Sequence, residues 1–489
     1  MDRGSREGRA AERDVVVVGG GVLGVFTAWR LAKAGRSVTL LEESTRVGGD
    51  RRRTEIGGFE VDLGVALQPN TCPRVSRAWI EAMGGRHRYV PIVHGDRVGH
   101  RSDLSRDELG RLMPLGDRLQ RVFESVRRVD WSVVTLADAL RTEFGPTAWE
   151  RVHRNYYESL FGRPCDGLDA ANRRALGLDV PARGDRSGLR GALLDLLRGS
   201  SPGELPVLGP ASSWPGPNHD PEDVEPTAGL YPSQGCFAAF VDALVGALEA
   251  TDAEVELSAA CDAVDIDGGR VRSVRAGGRS FAAEDFVFVG SPGVVFEAVE
   301  VSIEPPELRA LAQVDLVVSH PVPDRLWDVH HDAGVIVRTA YPQRFQAIEP
   351  GERNVVTCET YHDAAVIDAI ERDPTSLVTR VVSELVSSGT IPTTAFVDDS
   401  RLTIARDALP GFRVGYFERL AAGVANVRER LPNVWFAGVP ATLAPTEPPT
   451  DAFASVLDLA ERLGRSELVE PSEDASLRSV KTEAVGSPV

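Results

Sequence analysis

The chain has 489 residues, 42% of them hydrophobic and 26% charged, with a formal net charge of −18. That length exceeds one simple core and points to two domains, sequential or intertwined. The acidic balance excludes a binder of nucleic-acid phosphates, which needs a basic face, and no run of eighteen apolar residues offers a membrane span.

Cys72, Cys165, Cys236, Cys261 and Cys358 form no CxxC pair. Disulfides and zinc are not expected from this spacing, and a reducing compartment fits it. The start, "MDRGSREGRAAERD", is charged and has no apolar core of signal-peptide length, so a cytoplasmic protein is expected. Lys33 and Lys481 are the only lysines, which removes lysine from the possible catalytic groups.

Residues 1–13 read as a polar tail, as do 466–489. From Asp14, "DVVVVGG" is a buried-strand run, "VLGVFTAWRLAKAG" a helix closed by Gly35, and "RSVTLLEE" a second strand, together one βαβ unit. The stretch from about 75 to 200 reads as mainly helical, with amphipathic segments such as "DRLQRVFESVRR". Residues 199–228 are rich in Pro, Gly and Ser and form a long surface excursion, a lid or a disordered loop. "CFAAFVDALVGALEA" has helical spacing. "EVELSAACDAVDID" and "RVRSVRAGG" flank a "DGG" turn that suits a hairpin, and "DFVFVGSP" is another buried strand. Residues 310–405 mix strands with one clear helix, "PTSLVTRVVSELVSSG". The domain expectation places 14–75, 226–300 and 401–465 in a discontinuous dinucleotide-binding unit. Residues 76–225 and 301–400 then build a substrate-binding unit.

Within "VVVVGGGVLG", Gly19, Gly21, Val22, Leu23 and Gly24 form a GxGxxG turn after a strand and before a helix. Gly19 permits the tight turn, Gly21 lets a pyrophosphate approach the backbone, and Gly24 allows close helix–sheet packing. The free amides and the positive end of the helix dipole face the phosphates. Glu42, followed by Glu43, ends the second strand and can accept ribose hydroxyls; its charge favours a free 2′-hydroxyl.

The continuation "ESTRVGGDRRRTEIGGFEVDLGVALQ" resembles the FAD-dependent superfamily of flavin amine oxidases, protoporphyrinogen oxidases and UDP-galactopyranose mutases. The resemblance implies an α/β fold, a Rossmann-like FAD-binding domain of the GR2 type with an interleaved substrate-binding domain of mixed sheet and helices. It implies FAD as cofactor, and it spans most of residues 14–462. Gly48 and Gly49 would bring backbone close to the dinucleotide; Asp50, with Arg51 after it, stands where the family often has arginine. "AACDAVDIDGGRV" is similar to the adenine-side strand and places Cys261 there. In "NVWFAGVPATLAPTEPPTDAFASVL", Gly438 matches the closing glycine and Val439 replaces the carboxylate that holds the ribityl chain. Losing that hydrogen bond costs roughly 1–2 kcal/mol, a small part of a dinucleotide's contacts. Thr450 is a candidate N-cap, with Asp451 next, for the flavin-facing helix.

On the substrate side, "RNYYESLFGRPCDGLDAANRRALGLDVPAR" and "VIVRTAYPQRF" resemble mutase segments. They make Arg183, Arg338 and Arg344 candidates for gripping an anionic substrate. Tyr341 and Tyr416 are candidate pocket donors, Tyr416 standing where the protoporphyrinogen oxidases carry histidine. His330 and His331 are adjacent and would face opposite ways on a strand, a poor ligand pair, so no metal is expected. Three readings stay open: an FAD-dependent oxidoreductase acting on a small molecule in a specialised biosynthetic pathway, a non-redox nucleotide-sugar mutase-like isomerase, and a flavin-fold protein without catalysis.

Overall fold

Val15, Val16 and Val17 are fully buried at the centre of a parallel sheet, which is why β1 (Arg13–Val18) reads as an apolar run from Val15 onward. The computed structural model describes residues 13–49, 53–92, 94–98, 101–104, 135–144, 146, 149–172, 211–225, 228–290, 292–331, 334–348, 351–438 and 452–464. β1 pairs in parallel with β2 (Val38–Leu41) on one side and with β13 (Arg279–Val289) on the other. β10 (Glu254–Glu256) extends the sheet beyond β2, and β19 (Val434–Ala437) lies parallel to β13. β12 (Arg270–Ala276) and β11 (Cys261–Asp267) continue it as an antiparallel hairpin.

Successive residues of β1 face opposite layers. Val15 and Val17 meet α1 (Val22–Lys33), α2 (Pro73–Met83), α5 (Ala238–Glu249) and α11 (Ala452–Gly464) in a core holding Phe26, Trp79, Phe240 and Val456. Val16 faces α6 (Gly293–Ala298) and α10 (Tyr416–Arg430), in a core holding Phe286, Phe296 and Leu420.

A second seven-stranded sheet runs in the order β18 (Val397–Gly411), β14 (Glu307–Val318), β17 (Asn354–His362), β16 (Arg338–Ala340), β15 (Trp327–His330), β7 (His94–Val98), β8 (Arg101–Leu104). α8 (Ala364–Arg372) and α9 (Pro374–Ser387) cover one face, over Val314, Val356 and Cys358. α3 (Leu136–Phe144) and α4 (Arg154–Phe161) contribute Leu136, Tyr157 and Leu160 to the other, over Leu311, Val337 and Tyr361. The hairpin β3 (Arg53–Ile56) and β4 (Phe59–Asp62) lies beside this sheet, with Val61 packed on Val317 and Val355. The short helix α7 (Pro342–Phe345) follows β16. A third, small sheet pairs β5 (Gln68–Pro69) and β6 (His87–Pro91) with β9 (Ala228–Pro232).

Several expectations change. Residues 87–91, 94–98 and 101–104, read as part of a mainly helical stretch, are strands, because β6 and β7 find partners in β9 and β15 far along the chain and β8 pairs with β7. The run "EVELSAACDAVDID" is two strands: Ser258, at φ 53°, turns the chain between them. Two further helices, the short α7 and α8, precede the one foreseen in 310–405. β18 runs through residue 401, the expected boundary, and belongs to the second sheet up to Gly411. The part of the Pro-rich excursion that is described, 211–225, docks on α2. Asn70 Nδ2 donates to the Pro221 and Val224 carbonyls at 2.8 and 2.9 Å, and Arg77 pairs with Asp220. "DRLQRVFESVRR" lies outside the described residues.

Candidate dinucleotide site

At the end of β1 the chain turns through Gly19, whose φ of 104° is in the left-handed region. A Cβ there would also stand 2.7 Å from the Val289 carbonyl oxygen of β13. At Gly24 a Cβ would overlap the Gly19 carbonyl, so this glycine lets α1 sit against the turn. Gly21 is different. It caps α1 with no side-chain hydrogen bond, and a Cβ on it would meet nothing within 4 Å. The amides of the first helical turn, including those of Val22 and Leu23, therefore open onto space that the side chains of the described residues leave clear.

Two further segments close on this turn. Gly48 N donates to the Gly20 carbonyl at 2.8 Å, and Gly48 bridges to Gly21 in parallel register. Gly49 follows, close enough that a Cβ there would lie 3.4 Å from Gly21 Cα. After β19, Gly438, at φ 84°, reaches the start of α1, where a Cβ would lie 3.0 Å from Leu23 Cδ2. Glu42 is nearly buried, and its carboxylate is already engaged within the protein. Oε2 accepts from Gly20 N at 2.7 Å, and Oε1 accepts from Ser44 N at 2.8 Å and Ser44 Oγ at 2.6 Å. Gly20 and Ser44 were not singled out in the sequence, though "GGG" and "EES" sit at the two strand ends that carry the site. Glu43 is exposed. Cys261 is half-buried opposite Ala276 of β12, and burial raises its thiol pKa. Asp50, Arg51, Val439, Thr450, Asp451 and Arg183 lie outside the described residues.

The clear space over Gly21, the uncapped helix start and the carboxylate beside it fit the ADP half of FAD. Gly21, Val22, Leu23 and Gly49 would face the phosphates, with Glu42 toward the ribose. Asp62, at the end of β4, fixes a neighbouring helix start. It accepts from Tyr231 Oη at 2.7 Å, Phe237 N at 2.9 Å and Ala238 N at 3.2 Å. Burial nonetheless raises its pKa above the ordinary carboxylate value.

Among the described substrate candidates, Arg338, Tyr341 and Arg344 are each already engaged by an acidic side chain. Arg338 is paired with the fully buried Glu359 at 2.8 Å and donates to Tyr361 Oη at 3.2 Å. Burial works against its charge, but Glu359 more than offsets this and the pKa is raised. Tyr341 is fully buried and donates to Asp328 at 2.5 Å. Arg344 pairs with Asp324 at 3.2 Å. Tyr416 starts α10 on the side of the first sheet, its ring 4.7 Å from that of Phe412. Lys33 is on the surface, paired with Glu81. Among the described residues no His, Cys, Asp or Glu cluster could hold a metal ion, and no helix is long and apolar enough to cross a membrane.

Residues 17–79 match the NAD(P)-binding Rossmann-like domain family. Over 63 residues, 12% of the chain, the protein is 49% identical to the carotenoid 3,4-desaturase of Haloarcula japonica, and this stretch is 13% of that enzyme's length. The chain thus aligns with about an eighth of the curated relatives it matches. A structure from Exiguobacterium sp. 255-15 assigned as protoporphyrinogen oxidase is similar over 94% of this chain and 100% of its own, with a TM-score of 0.63 and 16% identity. Reduced UDP-galactopyranose mutase is similar over 93% of this chain and 95% of its own, with a TM-score of 0.64 and 12% identity. Over more than nine-tenths of its length the chain therefore has the α/β fold of these two structures, with a Rossmann-like unit at residues 17–79.

Proposed function

We propose that the protein is an FAD-dependent oxidoreductase acting on a small-molecule substrate. The observation that carries this reading is the three-sided glycine cradle. The turn Gly19–Gly24, the pair Gly48–Gly49 and Gly438 converge on the start of α1, where, among the described residues, nothing lies within 4 Å of a Cβ built on Gly21. Bound FAD supplies the hydride acceptor, so the protein's part is to bind, orient and exclude water. The backbone amides of the first turn of α1 hold the phosphates, and Glu42 orients the ribose while keeping the Gly20 amide in place. The identity over residues shared with a carotenoid desaturase supports redox use of the cofactor.

No observation favours the nucleotide-sugar reading over this one. Arg338 and Arg344 already face Glu359 and Asp324, so their charge is compensated before any anion arrives. The test is a titration of purified protein with FAD, followed by anaerobic addition of candidate substrates. The expected result is a flavin band that shifts and sharpens on binding and then bleaches with substrate alone. A protein that leaves FAD free sinks the proposal, and turnover that starts only after chemical reduction of the flavin points to isomerase chemistry instead.

A further inference from the structure

Two consecutive backbone amides of the segment between β4 and β5 are held from the second sheet. Gly64 N donates to Gln313 Oε1 at 2.6 Å, and Val65 N donates to Glu359 Oε1 at 2.7 Å. Gln313 Nε2 returns a bond to the Asp62 carbonyl at 2.9 Å, so this one side chain grips the segment on both sides of Leu63. Gln313 and Glu359 are both fully buried. Glu359 is fixed in turn by Arg338 and by Tyr361 Oη, which donates to its other oxygen at 3.1 Å. A buried carboxylate is a poor source of stability, because desolvation cancels most of what pairing gains. Its use here points to geometry.

The segment joins two cores. Leu63 packs with Tyr156, Leu311 and Tyr361 under the second sheet. Ala66 belongs to the same buried core as Val25 and Phe26 of α1, and Val65 and Leu67 lie against that core, as do Val22 and Leu23 of the phosphate-binding turn. We propose that Gln313 and Glu359 are positioning residues that set the Gly64–Leu67 backbone against the start of α1 and so shape the cleft for the flavin dinucleotide. Arg338 then acts as the counter-ion of Glu359. The proposal rests on the cofactor reading above.

The experiment compares the full-length wild type with Gln313→Met and Glu359→Gln. Amide hydrogen exchange over residues 62–68 is measured without cofactor, and FAD affinity and the shape of its visible band are measured by titration. The expected result is exchange faster by roughly tenfold or more in each variant, with FAD bound about tenfold more weakly and its band less resolved. If Gln313→Met fails to fold, Glu359→Gln carries the test, since its single amide oxygen cannot serve Val65 N on one side and Arg338 with Tyr361 Oη on the other as the two carboxylate oxygens do. Unchanged exchange overturns the anchoring. Faster exchange with the wild-type affinity and band shape overturns the positioning. A wild type that takes up no FAD overturns the cofactor reading, and this proposal with it, before any variant is compared.

Discussion

Gly21 and Gly24 lie one helical turn apart and differ in what a methyl group would meet. At Gly24 it would overlap the Gly19 carbonyl, whereas at Gly21 it would project into open space from a backbone at φ −60° that any residue adopts. Gly24→Ala is therefore expected to lower the melting temperature by several degrees, through a forced shift of α1 against the turn. Gly21→Ala should melt with the wild type and yet bind FAD at least tenfold more weakly. Thermal melts and FAD titrations of the two variants check this. A Gly21→Ala protein with wild-type FAD affinity would place the cofactor elsewhere. These glycines were legible in the sequence because their effect is local, being fixed by their own backbone and by neighbours a few positions away. Gln313 and Glu359 were not. They act on Gly64 and Val65 across 249 and 294 residues, and no local periodicity encodes such a partner. A weaker signal was present: polar residues interrupt otherwise apolar strands in "LAQVDLVV" and "VTCETYH", and a buried polar side chain must find a partner.

β14 carries that signal twice, because Gln313 and Asp315 point to the same side of the strand. Asp315 is fully buried and accepts from Gln313 Nε2 at 3.0 Å and Thr357 Oγ1 at 2.8 Å. Burial pushes its carboxyl up to about 6, against the pull of those two donors and of the Arg401 charge. A carboxylate with a raised pKa in the fold is a penalty that is absent at low pH and grows as pH rises through about 6. Asp315→Asn removes that penalty and keeps an acceptor for both donors. The variant should match the wild type near pH 4 and exceed its stability above pH 7 by on the order of 2–3 kcal/mol. Denaturant unfolding at the two pH values measures this, and a variant less stable at pH 8 would show that the charge contributes favourably. The elements themselves were read in proportion to how far their cause is local. The βαβ unit and the hairpin β11–β12 follow from pattern and turn residues. β6 and β7 owe their form to strands elsewhere in the chain, and β8 to its pairing with β7, so the helical reading of their stretch failed. The substrate arginines were placed by resemblance, which does not reveal that Glu359 and Asp324 already neutralise two of them.

Across the whole molecule the formal charge of −18 works against compactness. The surface offsets part of it with ion pairs such as Arg74–Asp458 and Arg406–Asp368, at 3.1 Å each, but exposed pairs contribute little. Screening should then relieve more repulsion than it removes attraction. Raising sodium chloride from ~10 to ~150 mM is expected to raise the melting temperature by a few degrees. A fall over the same range, read by scanning fluorimetry, would mean that the surface pairs outweigh the net repulsion.

The last strand of the first sheet has a consequence for synthesis. β19 completes the sheet against β13, and Trp435 Nε1 donates to Asp285 across 150 residues of chain. On the ribosome, Phe286 and Phe288 emerge long before the strand that covers them. At ordinary translation rates the bare edge waits on the order of 10–30 s for its partner. An uncovered strand edge with aromatic side chains is a template for pairing with other nascent chains. Soluble yield is therefore expected to rise when a holding chaperone that shields such edges is co-expressed, and an unchanged yield would mean that the edge is covered by other means.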